Sequence, residues 1–134
     1  MVFGAWFLLL GMEYNNPKVT SFRDLVIWQK GLDIAKEVYE ITKSLPKEEI
    51  FGIISQMRRS AVSISSNIAE GRGRSSKKDF VSFLHFAQGS LFELETQLIL
   101  VRELYKIDLK NLPKMIEDEQ KMLSAIIKKL KATP

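Results

Sequence analysis

QMRRSAVSISSNIAEGRGRSS, residues 56–76, carries one helix into a turn and opens the next. Ile50, Ile53, Met57, Ala61, Ile64 and Ile68 recur at steps of three and four, so one face of this segment is apolar at the helical period. Pro46 suits a first helical turn, and Glu48 and Glu49 follow it beside the positive helix end. The pattern therefore starts a helix near Pro46 and ends it at Gly71, where a left-handed C-cap is expected. Arg72-Gly73-Arg74-Ser75 is then the turn. Ser76-Lys77-Lys78-Asp79 reads as a capping box that begins another helix.

That third helix is the longest. Phe80, Leu84, Ala87, Leu91, Leu94, Leu98, Val101 and Tyr105 form an unbroken seam, while Phe83, Phe86, Phe92 and Ile99 lie away from it. Ahead of the second helix, Ser21-Phe22-Arg23-Asp24 is another capping box, opening a helix that runs to about Ser44, before Leu45-Pro46. It carries two stripes: Leu25, Trp28, Leu32, Ala35 and Tyr39, then Ile27, Ile34, Val38, Ile41 and Leu45. A last helix is expected from Leu112-Pro113 to about Lys131, with Met115, Met122 and Ile126 beside Ile116, Leu123, Ile127 and Leu130. No stretch alternates with period two. The expected fold is all-α, an antiparallel up-down-up-down four-helix bundle over residues 21–131. One apolar face per helix is enough for an isolated bundle. The first, third and fourth helices carry more, which fits either a wide core stripe in a small domain or, the preferred expectation, self-association.

The chain has 134 residues, 46% apolar and 27% charged, which suits one compact soluble domain. With no cysteine there is no disulfide framework and no thiolate chemistry, and a reducing cytoplasm fits. Residues 1–20 are set apart as an apolar leader, either a misassigned start or a disordered extension. Its core, Met1 to Met12, is shorter than the roughly 17–25 residues of a spanning helix. It also lacks the basic lead and cleavage site of a secretory signal, so Met12 is expected to be the initiator and membrane association is not expected.

Catalysis has little support. The single histidine, His85, excludes a di-iron site built on paired Glu-x-x-His motifs, since position 82 is serine; His85 is expected at a surface or interface. Ser75-Ser76-Lys77-Lys78 fits Ser-x-x-Lys without the companion motifs of acyl enzymes. Gly71-Arg72-Gly73-Arg74 follows a helix rather than a strand and lacks a third glycine, so it is no phosphate loop. No catalytic residue, metal, cofactor or small-molecule substrate is expected.

Charge points elsewhere. Between residues 58 and 78, six cations (Arg58, Arg59, Arg72, Arg74, Lys77, Lys78) face one acid, Glu70, giving +5 in a chain of net charge +4. A field concentrated in this way suits a polyanion. Arg72, Arg74, Lys77 and Lys78 are the expected phosphate contacts. Arg58 and Arg59 either extend that patch or pair with acids across a subunit interface. No aromatic sits among these cations in sequence, so stacking on bases is not expected. Ser60, Ser63, Asn67 and Glu70 form a polar stripe opposite the apolar seam. Serine and asparagine weaken a helix, so the stripe is assigned to an oligomer interface rather than to a solvated face.

Phe22-Arg23-Asp24-Leu25 with Trp28-Gln29, Gln56-Met57-Arg58-Arg59, Ser63-Ile64, Asn67-Ile68-Ala69-Glu70-Gly71, and Gly89-Ser90 before Glu93-Leu94-Glu95 carry a family resemblance. Over residues 22–131 the chain resembles the four-helix-bundle proteins encoded by 23S rRNA intervening sequences. The resemblance implies an antiparallel bundle assembled into a homopentamer. It also implies kinship with accessory proteins of diversity-generating retroelements, in which a basic pentameric barrel contacts nucleic acid and a reverse transcriptase. The partners expected here are thus further copies of the chain and RNA or DNA phosphates, with a reverse transcriptase or another protein beside them. The alternative is an oligomeric protein-interaction scaffold with no nucleic-acid role.

Overall fold

The computed structural model describes residues 21–134, so the apolar leader and the Met12 start lie outside the described residues. Those residues form four α-helices and no strand: α1 (Val26–Thr42), α2 (Ile53–Arg72), α3 (Lys77–Tyr105) and α4 (Leu112–Ala132), with 3-10 turns at Phe22–Asp24 and Lys47–Glu49. No helix among them is long and apolar enough to cross a membrane.

Each helix packs on the next, and α4 returns to α1. Between α1 and α2, Ser65 Oγ donates to the Trp28 carbonyl (3.0 Å) and Arg58 Nε to Thr42 Oγ1 (3.0 Å). Ser63 and Ser90 hydroxyls meet at 2.8 Å between α2 and α3. Gln88 Nε2 donates to Ser124 Oγ (3.0 Å), and Lys77 Nζ to the Thr133 carbonyl, between α3 and α4. Early residues of one helix thus meet late residues of its neighbour between α1 and α2 and between α3 and α4, while Ser63 and Ser90 both lie mid-helix. The starts of α1 and α3 share one end of the bundle with the finishes of α2 and α4.

The seams are the core. Phe80, Leu84, Ala87, Leu91 and Leu94 of α3 and Met57, Ala61, Ile64 and Ile68 of α2 are fully buried. Burying one such large side chain is worth roughly 1.5–3 kcal/mol, against about 0–1 kcal/mol for an exposed ion pair such as Lys43–Glu40. Apolar packing therefore decides the architecture. The second stripes divide. In α4 both are used internally, since Ile116, Leu123, Ile126, Ile127 and Leu130 are all buried. In α1 and α3, Leu32, Tyr39, Phe86, Phe92 and Ile99 stay exposed.

Several boundaries depart from expectation. The Ser21–Asp24 capping box forms, yet it closes a 3-10 turn, and an extended Leu25 intervenes before α1. α1 stops at Thr42, whose hydroxyl bonds back to the Val38 carbonyl (2.8 Å), and the next residues tighten into i→i+3 bonds. Pro46 caps the 3-10 turn, and α2 begins only at Ile53. Gly71 is not a left-handed cap. It lies inside α2, which runs to Arg72, and the Gly73 that follows is right-handed (φ −79°). Gly71 serves close approach instead: a Cβ there would stand 2.6 Å from Phe83 Cβ and 3.3 Å from the Phe80 carbonyl oxygen.

Gly31 plays the same part on α1, where a Cβ would meet Ser65 Oγ at 2.5 Å and Glu119 Oε2 at 3.3 Å. Glu119 is 0% exposed, and neither carboxyl oxygen has a hydrogen-bond partner. Burial pushes its pKa up to about 8, opposed by attraction to Lys30. Burying an unsatisfied carboxyl is costly, and the neutral form is the cheaper one.

The unfolded chain releases the Glu119 proton from about pH 4.5, whereas the folded chain keeps it to about pH 8. Folding stability is therefore greatest below the lower value and falls as pH rises through the window, by something on the order of 3–5 kcal/mol. Urea unfolding at pH 5, 6.5 and 8 should show this decline, and Glu119→Gln should remove most of it. Gly71→Ala should destabilise by about 1–2 kcal/mol, as overpacking outweighs the gain in helix propensity. Gly89→Ala, which meets nothing within 4 Å, should instead stabilise by roughly 0.5–1 kcal/mol in the same assay.

Candidate nucleic-acid interface

The turn between α2 and α3 is fixed at both sides. Gly73 N–H reaches the Ala69 and Glu70 carbonyls (both 3.2 Å), and Arg74 N–H the Gly71 carbonyl (3.1 Å). Ser76 then starts α3, its hydroxyl accepting from Asp79 N–H at 3.1 Å. This short connection holds Arg72, Arg74, Lys77 and Lys78 at one end of the bundle.

Their surroundings differ. Arg74 Nη2 bonds Glu70 Oε1 at 2.6 Å, and its guanidinium lies over the Phe83 ring, 4.9 Å from the centroid. Phe83 in turn meets Phe86 edge-on at 5.5 Å. Lys77 is tied to the Thr133 carbonyl of the C-terminal segment. Lys78 is exposed, and the described residues offer it no ion pair. An aromatic therefore does stand among the cations, contrary to the sequence reading. Phe83 comes from the second turn of α3 and meets Arg74 only once the helices fold back on each other.

Arg58 and Arg59 are not part of this end. They precede Arg72 by 14 and 13 residues along α2, about 20 Å of helix. Arg58 is half-buried on the α1 side, stacked over Tyr39 at 4.5 Å while it donates to Thr42. Arg59 is exposed on the same flank, beside a cavity of about 400 Å³ that also touches Tyr39, Ile50 and Val62. The six cations thus form two groups.

All four polar-stripe residues have partners within the chain. Ser60 is buried and bonds back to the Gln56 carbonyl (3.0 Å). Ser63 bridges to Ser90, and Asn67 Nδ2 donates to the Ser63 carbonyl (2.8 Å) and hydroxyl (2.9 Å). Glu70 is half-exposed and holds Arg74. Of this stripe only Ser63 reaches α3, through Ser90, while the Ser60 hydroxyl and the Asn67 amide bond within α2.

The fold adds residues that the linear reading passed over. α4 ends beside the start of α3, which brings Lys128, Lys129 and Lys131 to the basic end. Lys131 lines a cavity of about 400 Å³ with Lys77, Lys78, Val81 and His85. Arg23, at the entry to α1, joins the same end. That end holds eight cations (Arg23, Arg72, Arg74, Lys77, Lys78, Lys128, Lys129, Lys131) against three acids, Asp24, Glu70 and Asp79. At the other end, Lys43, Lys47, Arg58, Arg59, Arg102, Lys106 and Lys110 stand against Glu40, Glu48, Glu49, Glu103 and Asp108, seven cations against five acids and a smaller excess. A basic run near the C-terminus was visible in sequence; only the pairing of α3 with α4 makes it part of the site.

His85 is exposed, as expected, with Nδ1 3.2 Å from Gln88 Oε1. Among the described residues, no group of three or more His, Cys, Asp or Glu could hold a metal ion.

Comparison with known proteins agrees with this architecture. Residues 23–128 match the family model described as 23S rRNA-intervening sequence protein. The chain is also similar to a crystal structure of a protein of unknown function from the S23 ribosomal protein family of Bacteroides thetaiotaomicron. The two share 29% identity with a TM-score of 0.70, over 77% of this chain and 96% of that one. No curated protein matches the chain. The match spans most of the sequence, so the chain belongs to the 23S rRNA-intervening sequence protein family.

Proposed function

We propose that this family member is a non-catalytic, homo-oligomeric nucleic-acid-binding protein, an antiparallel bundle that meets RNA or DNA phosphates with its basic end. The observation that supports this reading is the segregation of charge. One end carries eight cations against three acids, and the other seven against five. A surface with no polyanion to meet gains nothing from self-repulsion of this kind. Arg72, Arg74, Lys77 and Lys78 are the primary contacts, and Lys128 and Lys131 widen the patch. The Arg74–Glu70 pair is exposed and worth little, so a phosphate can displace Glu70 at small cost.

Self-association draws support from a separate observation. Leu32 and Tyr39 of α1 and Phe86, Phe92 and Leu104 of α3 are large apolar side chains left on the surface, with Phe92 and Leu104 about 60% exposed. These flanks are the proposed subunit contacts, in a ring of five copies. The remaining exposure of Glu70 and the Arg58–Arg59 flank fits the rim of such contacts. Repetition of the basic end around a ring multiplies a weak patch through avidity. A chain free of cysteine suits the cytoplasm.

The test is fluorescence anisotropy with labelled RNA and DNA over 50–200 mM salt, on protein shown by light scattering to have one mass. Four phosphate contacts predict an affinity loss of about a hundredfold across that range. The variant with Arg72, Arg74, Lys77 and Lys78 all changed to Glu should not bind, with its helical circular dichroism unchanged. If the parent binds neither nucleic acid at 50 mM salt, the protein is an oligomeric scaffold for another protein.

A further inference from the structure

The cavity between the start of α3 and the end of α4 is more than part of a charged surface. Its volume of about 400 Å³ falls in the range of small-ligand sites, about 300–1,000 Å³. Lys78 and Lys131 line it from two different helices, with Val81, Ser82, His85 and Leu130 completing the lining. Lys77 also lines it, with its ammonium held by the Thr133 carbonyl, so the C-terminal segment is fixed beside the cavity.

The histidine is oriented by its neighbours. Gln88 Nε2 donates to Ser124 Oγ at 3.0 Å, which turns the amide oxygen toward the ring. That oxygen lies 3.2 Å from His85 Nδ1. The ring is thus held by a contact that itself reaches α4.

We infer that this cavity takes one unpaired nucleotide of a single strand, with its phosphate on Lys78 and Lys131 and its base against Val81 and the His85 ring. This inference rests on the phosphate-binding reading and sharpens it. A duplex keeps its bases stacked and paired and would touch only the outer charges, leaving the cavity unused. An unpaired nucleotide presents both chemistries that the lining offers: an anion for the ammoniums and a flat heterocycle for the ring.

The experiment measures anisotropy with a labelled twelve-nucleotide single strand and with its duplex, at one salt concentration and then across a salt series. The parent should bind the single strand at least tenfold more tightly. His85→Ala should weaken single-strand binding five- to tenfold while leaving duplex binding and the salt slope unchanged. His85→Phe, which keeps a ring face, should restore most of it. Lys131→Glu should weaken both ligands and flatten the salt dependence. Equal affinity for strand and duplex, or an equal effect of His85→Ala on both, would overturn the nucleotide site and leave the phosphate surface standing. Failure of the parent to bind either would remove both readings together.

Discussion

The close contact between α2 and α3 is the constraint on which the rest depends. It is the most extensive helix pairing in the bundle, and it is set by what is missing from the side chains. Gly71 has no Cβ to strike Phe83 and Phe80, and Ser63 and Ser90 are small enough to bond directly at 2.8 Å. Because the helices are this close where they join, the turn between them can be only a few residues long. A short turn forces Arg72, Arg74, Lys77 and Lys78 onto one end. The same closeness slides Phe83 beneath Arg74, which gives the guanidinium a defined plane. A wider crossing would have scattered these groups.

On the opposite side of the core the packing carries a penalty rather than a gain. Glu119 is sealed against α1 at the point where Gly31 lets that helix come near, and its oxygens find no donor. Nothing in the seam pattern explains a carboxyl there, since Ile116 and Leu123 flank it at core spacing and an apolar residue would pack as well. The protein tolerates it by keeping the proton, which makes the bundle a less stable object at alkaline pH.

Much of this was legible in the sequence because the relevant signals are local. The seam from Phe80 to Val101 specified α3 almost residue by residue, and Ser76 marked its start. Competing local chemistry defeated the boundaries: the Thr42 hydroxyl took carbonyls from the end of α1, and the Pro46 turn delayed α2 to Ile53. Gly71 was recognised as special for the wrong reason, because a glycine at a helix end and one under a crossing helix look identical in one dimension. The site was half legible. Its α2–α3 part is contiguous in sequence, whereas Lys131 and the Phe83–Arg74 stack exist only after pairing. Arg58 and Arg59, adjacent in charge counting, belong to another flank because a helix puts about 20 Å between residues 14 apart.

Charge and apolar surface are also placed so that the two proposed activities reinforce each other. The exposed apolar residues of α1 and α3 lie along the bundle's length, and the cations gather at its end. Copies that associate side by side with their axes aligned therefore bring basic ends together, and those ends repel within a Debye length of about 8 Å at physiological salt. A bound polyanion cancels that repulsion. By linkage, whatever favours the ring on binding nucleic acid must also favour nucleic acid on forming the ring, to the same extent. On the proposed function, the charge that makes a free ring less stable is then what would couple its assembly to nucleic acid.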